Sequence, residues 1–345
     1  MKVLVALSGG PESMVTAWLL KKQGMSLRGF FLDAEGRPDF EDYVGLMERK
    51  LGIPIQAVQL KEEALKLTSE ARDLARKRGQ IFRPKHFFHR SILFPRLFEL
   101  QEQHQFAKIA TGHRASLQED PAEGIVRVMR YAESGGDEAP LLVGLNQKQL
   151  SSLILPLGSI PESMMIKLRQ ELDPNQETKK FEMNWDAWEK LLTTQFDQTV
   201  TGFDISDIEG VRIGSVRENA DIVIGAIHHD PSAPSRVYRI VEISWEHRRV
   251  VVQQDKEREL EEIQFEDVSW FSRSDLGFSS RTCGLMVPGR EKSLPIQLIQ
   301  YEGNRVLGRL ETPLKAEEAN IFKGQSVLWI EGPEILGGGR VFRTQ

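Results

Sequence analysis

The chain has 345 residues, enough for two or three domains with real cores, and its composition of 40% hydrophobic and 28% charged residues is that of a globular protein. No apolar run approaches the roughly 18–20 residues of a membrane span, and residues 1–7 lead into a strand rather than a cleavable signal, so a cytoplasmic location with no membrane association is expected. The single cysteine, Cys283, excludes an internal disulfide and any cysteine metal cluster supplied by one chain, and no metal site is read; the net charge of −5 gives no global sign of a nucleic-acid binder but hides local patches.

Residues 1–130 alternate strand and helix. MKVLVAL predicts a strand, SMVTAWLLKKQG a helix ending at Gly24, and LRGFFLD a second strand. FEDYVGLMERKLG has apolar spacing near 3.6 and stops at Gly52, IPIQAVQL is extended, and AKIATGH (107–113) is a further buried strand ending in a glycine. This alternation predicts an α/β fold with a parallel sheet and helices on both faces, and places SGG and TGH at the carboxyl ends of strands, where such sheets bind ligands. NQKQLSSLI, ESMMIKLRQEL and FEMNWDAWEKLL read as helices within 146–196. From about Gly202 short β-type runs separated by turns predict one or two small antiparallel barrels. The division expected is 1–145, a helical remainder or linker at 146–201, a central β-rich domain at 202–275 and a C-terminal barrel at 276–345.

The stretch SGGPES at 8–13 joins the first strand to the first helix. A glycine pair there lets backbone amides approach phosphate oxygens, Ser8 and Ser13 add hydroxyls, and the helix points its dipole at the same place. No lysine follows, so this is not the G-x-x-x-x-G-K-[ST] loop. It is SGG-x-[D/E]-S, the pyrophosphate loop of enzymes that split ATP between its α- and β-phosphates. Pro11 loses only an N–H that is orphaned at a helix start. Glu12 stands where aspartate is usual, and its extra methylene displaces the carboxylate by about 1.5 Å.

One basic run stands out, ARDLARKRGQIFRPKHFFHR at 71–90. Arg76, Lys77, Arg78, Arg83, Lys85 and Arg90 suit a phosphate-tracking surface, with Phe82, Phe87 and Phe88 as interleaved rings; a solvated helix end followed by a loop is the alternative. His86 and His89, three apart, share a helix face; a catalytic or metal role is open, though solvated donors are the commoner case.

Several segments together resemble the tRNA-specific 2-thiouridylases over nearly the whole length: VALSGGPES, GFFLD, RGQIFRPKHFFHRSILF, ATGHRA, LLVGLNQKQLSSLILPLG and KGQSVLWIEGPEILGGG. The resemblance implies a pyrophosphatase domain, a central domain and a C-terminal β-barrel, with ATP and Mg²⁺ as cofactors and tRNA as partner. It implies adenylation of a wobble-uridine oxygen, then sulfur delivery by a cysteine persulfide that a second cysteine releases. Ala6, Leu7, Ser8, Gly9, Gly10, Pro11, Glu12, Ser13, Leu32 and Gly112 match positions that hold ATP. His113 and Arg114 lie beside them and join Arg76, Lys77, Arg78, Arg83, Lys85, His89 and Arg90 as expected RNA contacts. Asp137 is what remains of a Lys-Asp-Gln-Ser stretch used on tRNA, which reads Gly136-Asp137-Glu138-Ala139 here.

The sulfur chemistry does not carry across. The first cysteine's position falls on Phe88, the assisting aspartate's on Lys85, and the second cysteine's near Phe181. Glu12 and Lys85 are the catalytic candidates that remain. Three functions stay open: an adenylating enzyme that takes its incoming group from a sulfur-carrier or other donor protein, a nucleotide- and tRNA-binding module without chemistry, or a pyrophosphate-loop ligase for a small molecule.

Overall fold

The computed structural model describes residues 1–36, 39–131, 136–175, 188, 202–216, 222–230, 233–254, 259–271, 280–288, 290, 292–301, 305–315 and 321–344. In the N-terminal unit the order is β1 (Lys2–Leu7), α1 (Pro11–Lys22), β2 (Ser26–Asp33), α2 (Phe40–Leu51), β3 (Ile55–Gln59) and α3 (Lys61–Lys77). After α4 (Pro84–Phe88), a π-helical turn at His89–Leu93 and α5 (Phe94–Gln103) come β4 (Lys108–Ala110), a hairpin of β5 (Ser116–Asp120) and β6 (Ile125–Met129), α6 (Gln147–Ser152), β7 (Leu153–Ile154) and α7 (Glu162–Leu172).

Strands β3-β2-β1-β4-β7 form one sheet in that order, every pair parallel. The strand β1 is buried on both faces, which is why Val3–Leu7 is a continuous apolar run rather than an alternating one. Val3, Val5 and Leu7 pack with Met14, Leu20, Tyr43 and Met47 on one side, while Leu4 and Ala6 pack with Phe30, Leu97 and Ile109 on the other. The chain leaves β1 toward β2 and later returns on the opposite side of β1 as β4, so the topological switch point lies between β1 and β4. The loops SGG and TGH both emerge there.

Two local features differ from the sequence expectation. The helix expected through Ile154 stops at Ser152, because Leu153 and Ile154 are taken up beside Ile109 and Ala110 as an edge strand. The basic run is helical to Lys77, leaves the helix through 78–83, and is helical again from Pro84 into a π turn that ends at Leu93, two residues before Pro95. Proline has no N–H to donate and clashes with the carbonyl four residues back, that of Ser91, so the helix widens there.

The strands β8 (Phe203–Asp207), β9 (Arg212–Val216), β10 (Ile227–Asp230), β11 (Ala233–Ser244) and β12 (Arg249–Gln254) form a five-stranded sheet ordered β10-β11-β12-β8-β9. Its β12–β8 pair is parallel, so among the described residues this sheet is neither purely antiparallel nor closed. A closed barrel follows, built from β13 (Glu259–Trp270), β14 (Ser280–Met286), β15 (Leu294–Tyr301), β16 (Arg305–Lys315), β17 (Ser326–Glu331) and β18 (Glu334–Thr344) in the circuit β13-β16-β15-β14-β17-β18, with β18 pairing back to β13. Strand β13, which the sequence division put in the central domain, pairs within this barrel, so its sheet begins at Glu259 rather than after 275.

The hairpin at 116–129 belongs by chain order to the first unit, yet β6 pairs with β18 at Met129↔Glu334 and Val128↔Ile335. Arg127 clamps the junction through Glu334 (2.7 Å) and Asp120 (2.8 Å). Leu328, Ile330 and Ile335 of the barrel lie in the same apolar cluster as Phe88, Leu142 and Leu145 of the first unit, so the two share one core.

Gly337 allows β18 to lie against β13: a Cβ there would stand 2.3 Å from the Ser269 carbonyl oxygen. Gly337→Ala is expected to destabilise the barrel by about 1–3 kcal/mol through overpacking. Thermal unfolding followed by tryptophan fluorescence checks this, since buried Trp329 meets half-buried Trp270 of β13 with ring centroids 4.5 Å apart.

Candidate functional site

A cavity of about 490 Å³ opens at the switch point, lined from the phosphate loop, the end of β2, α4 with its π turn, the TGH loop and Gly136–Glu138. Gly9 takes φ +89°, and the Tyr43 hydroxyl donates to its carbonyl at 2.6 Å, turning that oxygen toward α2. The Ser13 hydroxyl donates to the Gly10 carbonyl (2.9 Å), while the Gly10 N–H donates to the Ser8 hydroxyl (3.3 Å). Helix α1 begins at Pro11 with no side-chain cap, so its first amides are not covered by a capping side chain. The TGH loop closes on this turn: a Cβ on Gly112 would sit 2.7 Å from the Ser13 nitrogen and 2.8 Å from the Glu12 carbonyl carbon. Ala6, Leu7, Ser8, Gly10, Glu12, Ser13, Leu32 and Gly112 all line the cavity.

Glu12 is engaged. Its Oε1 accepts from Arg114 Nη2 at 3.0 Å and from Arg169 Nη2, and the same two arginines meet Glu162 at 2.7 and 3.5 Å. The Arg114 guanidinium loses some solvation, but Glu12 and Glu162 hold its pKa above the ordinary value. Glu162 and Arg169 are seven apart on α7 and therefore share a face, a spacing visible in the sequence, but nothing there indicates that this face meets Glu12. Among the described residues no three Asp, Glu, His or Cys side chains stand together as a metal-holding group. Mg²⁺ in nucleotide sites is held by one or two carboxylates together with the substrate phosphates, and Glu12, already between two arginines, is not poised to be one of them.

The other charged candidate is also paired. Lys85 Nζ donates to Glu138 Oε1 at 2.7 Å, and Glu138 Oε2 accepts from the Arg114 N–H at 3.2 Å. Burial opposes charge on Glu138, but His113 and Lys85 outweigh it and hold the carboxyl below its usual range. Asp137 shifts upward because burial penalises its charge, and it accepts from the Ala139 N–H.

His89 and His113 do not lie on the basic surface; they are buried at 7% and 6% exposure, their rings 5.0 Å apart and nearly perpendicular, and they form part of the cavity wall. The Lys85 carbonyl holds His89 Nδ1 at 2.7 Å, and the Thr111 hydroxyl holds His113 Nδ1 at 2.7 Å. Among the described residues His113 Nε2 is buried with no hydrogen-bond partner. Phe88, at the first family cysteine's position, is 5% exposed and meets Trp188 edge-to-face at 5.5 Å. Phe181 and Trp185 lie outside the described residues. Cys283 is in β14 of the barrel, and burial pushes its thiol up to about 12.

Of the basic run, Lys77, Arg78, Arg83 and Arg90 are exposed. Arg76 is half-buried, stacks over Trp245 at 4.9 Å and accepts from its indole N–H through its carbonyl at 2.8 Å, so it ties α3 to the central sheet. Arg90 stands 3.8 Å from Asp267 of the barrel.

A parallel α/β sheet with a pyrophosphate loop and a glycine loop meeting over a cavity defines a nucleotide-binding domain of the HUP class. The chain belongs to the tRNA-specific 2-thiouridylase family: residues 1–183 match the family described as the tRNA methyl transferase HUP domain. It is similar to the tRNA-specific 2-thiouridylase MnmA of Shouchella clausii (25% identity, 98% of this chain and 95% of that one) and to that of Escherichia coli O6:H1 (24%, 98% and 96%). A solved structure described as a predicted subunit of a tRNA methyltransferase from Methanocaldococcus jannaschii aligns with a TM-score of 0.33 at 18% identity, covering 50% of this chain and 75% of that one.

His113 and His86 titrate near 4, His113 through burial and His86 through burial together with Arg83 and Lys85; burial and the neighbouring His113 take His89 well below its usual value. A folded pKa below the unfolded one means stability is present above about 6.5 and is lost as pH falls toward 4. The thermal midpoint is therefore expected to fall across that window, and the ring signals of these three histidines in NMR should move only slightly between pH 7 and pH 5, where an ordinary histidine titrates almost fully.

Proposed function

We propose that this chain binds ATP across the SGG and TGH loops and adenylates an oxygen of a tRNA uridine or a related acceptor, without a persulfide step of its own. The uridine oxygen attacks the α-phosphorus, the α–β bond breaks, and pyrophosphate leaves. An incoming group from a separate donor protein then displaces AMP. The carrying observation is the convergence of both loops on one cavity of about 490 Å³, a volume within the range of small-ligand sites. An uncharged oxygen is a poor leaving group until esterified, so activation is the part of the chemistry this site keeps.

The missing sulfur step follows from side-chain chemistry. Phe88 carries no thiol, and the chain's one cysteine is buried in the barrel with its pKa near 12. The thiolate is the nucleophile in such transfers, and Cys283 holds very little of it at neutral pH. Lys85, held by Glu138 at the cavity wall, suits a developing negative charge rather than proton abstraction. Lys77, Arg78, Arg83 and Arg90 are the proposed phosphate contacts to tRNA, with His89, His113 and Asp137 toward the base that enters the cavity. A cytoplasmic setting fits such a substrate.

A second reading is favoured by one observation: both catalytic candidates, Glu12 and Lys85, are ion-paired with protein groups. On that reading the chain holds nucleotide and tRNA without turnover. Pyrophosphate release from α-labelled ATP, with and without total tRNA, separates the two. Pyrophosphate together with AMP or adenylated RNA that forms only when tRNA is added is the expected result; no turnover alongside measurable ATP or tRNA binding leaves the binding module.

The RNA surface has its own test. Neutralising Lys77, Arg78 and Arg83 together to glutamine should weaken tRNA binding tenfold or more at about 0.1 M salt and flatten the log-affinity against log-salt slope by about 2. An unchanged slope places the phosphate contacts elsewhere.

A further inference from the structure

Glu12 sits in the first turn of α1, where the positive end of the helix favours an anion. It is also directly behind the SGG turn and lines the cavity. Its carboxylate is gripped by Arg114, which lines the same cavity, and by Arg169 from α7. Together with Glu162 these make a ring of alternating charge: Glu12, Arg114, Glu162, Arg169. The ring does not use all its donors, since Arg169 Nε is buried with no hydrogen-bond partner among the described residues.

A guanidinium presents a planar fork that fits a carboxylate and a phosphate alike, and both bind it bidentately. The arrangement at Glu12 therefore has the form of a phosphate subsite occupied by the protein's own carboxylate. The ordinary aspartate at this place is about 1.5 Å shorter, judged from bond lengths, so the longer glutamate is what lets the carboxylate reach out to the arginines.

We propose that Arg114 and Arg169 are the cations that take the pyrophosphate portion of the nucleotide, and that Glu12 is their resting counter-anion, displaced when nucleotide enters. The proposal rests on the ATP reading above. Arg114 is thereby assigned to the phosphates rather than to RNA. A polyphosphate, with more charge and more acceptor oxygens than one carboxylate, wins the exchange, and the residual Glu162 keeps the arginines oriented while it happens. Two consequences distinguish this from a metal-holding or catalytic Glu12. Binding depends on the arginines more than on a divalent cation, and removing the Glu12 charge strengthens binding instead of weakening it.

Calorimetric titration of the full chain with α,β-methylene-ATP, in Mg²⁺ and in EDTA, tests this. Wild type is expected to bind in EDTA within a few-fold of its affinity in Mg²⁺. Glu12→Gln should bind about 3–10-fold tighter, and Arg169→Gln about tenfold weaker, with Arg114→Lys intermediate because it keeps the charge but loses the fork. Glu12→Gln binding more weakly than wild type, or Arg169→Gln binding unchanged, overturns the proposal while leaving the ATP reading in place. No binding by any form in either buffer removes both. Should Arg114→Lys fail to fold, Glu12→Gln and Arg169→Gln still decide.

Discussion

The contact on which the site depends is the approach of Gly112 to the backbone of Glu12 and Ser13. With β4 beside β1, the loops that leave the two strands must share the same few ångströms, and a Cβ at Gly112 would lie 2.7 Å from the Ser13 nitrogen. A side chain there would push the TGH loop off the phosphate turn and open the floor of the cavity. The rest is built outward from that contact. His113 follows Gly112 into the core, Arg114 turns back to Glu12, and the Arg114 N–H reaches the Glu138 carboxylate. One glycine therefore fixes the positions of a neutral imidazole, a guanidinium and, through Glu138, the Lys85 ammonium.

Much of this architecture was legible in the residues, and the illegible parts share a cause. The strand-turn-helix at 1–22, the second strand and the TGH strand follow from buried apolar runs, the first and last of them leading into glycine loops, which local periodicity reports directly. The hairpin at 116–129 is different. Its residues alternate weakly, SLQED and IVRVM, and they become strands because the edge of β18 is available to β6. Strand β13 likewise takes its place from partners β16 and β18, about fifty and eighty residues further on. Pairing partners at that distance leave no periodic trace. The same holds at the site, where the departure of Glu12 from aspartate was visible but its partners Arg114 and Arg169 were not.

The histidines show how context reverses a reading. A basic, histidine-rich stretch reads as a solvated surface, yet the π turn before Pro95 widens the helix where His89 sits, and His89 packs against His113 inside the wall. Burial then makes both imidazoles neutral, so each presents one donor and one acceptor rather than two donors. Phe88 beside them replaces a reactive position with an aromatic wall that Trp188 supports edge-on, leaving a packed surface and not a gap.

Glu12, Asp33, Glu35, Asp137 and Glu138 line the cavity, against Lys85 and Arg114. A triphosphate entering such a space would be repelled if those carboxylates stood uncompensated. Four of the five are compensated: Glu12 by two arginines, Glu138 by Lys85, Asp33 by the N–H groups of Glu35 and Gly36, and Asp137 by an upward shift that burial imposes. Every positive group at the site is therefore matched before any ligand arrives. An anion binds such a site by taking over existing ion pairs, which cost little in a half-exposed cavity and can be exchanged without stripping a bare charge of its water. Selectivity then falls to geometry. A planar carboxylate such as acetate offers no more than Glu12 already does, whereas a polyphosphate can reach the guanidinium forks and the turn at Gly9 and Gly10 at the same time.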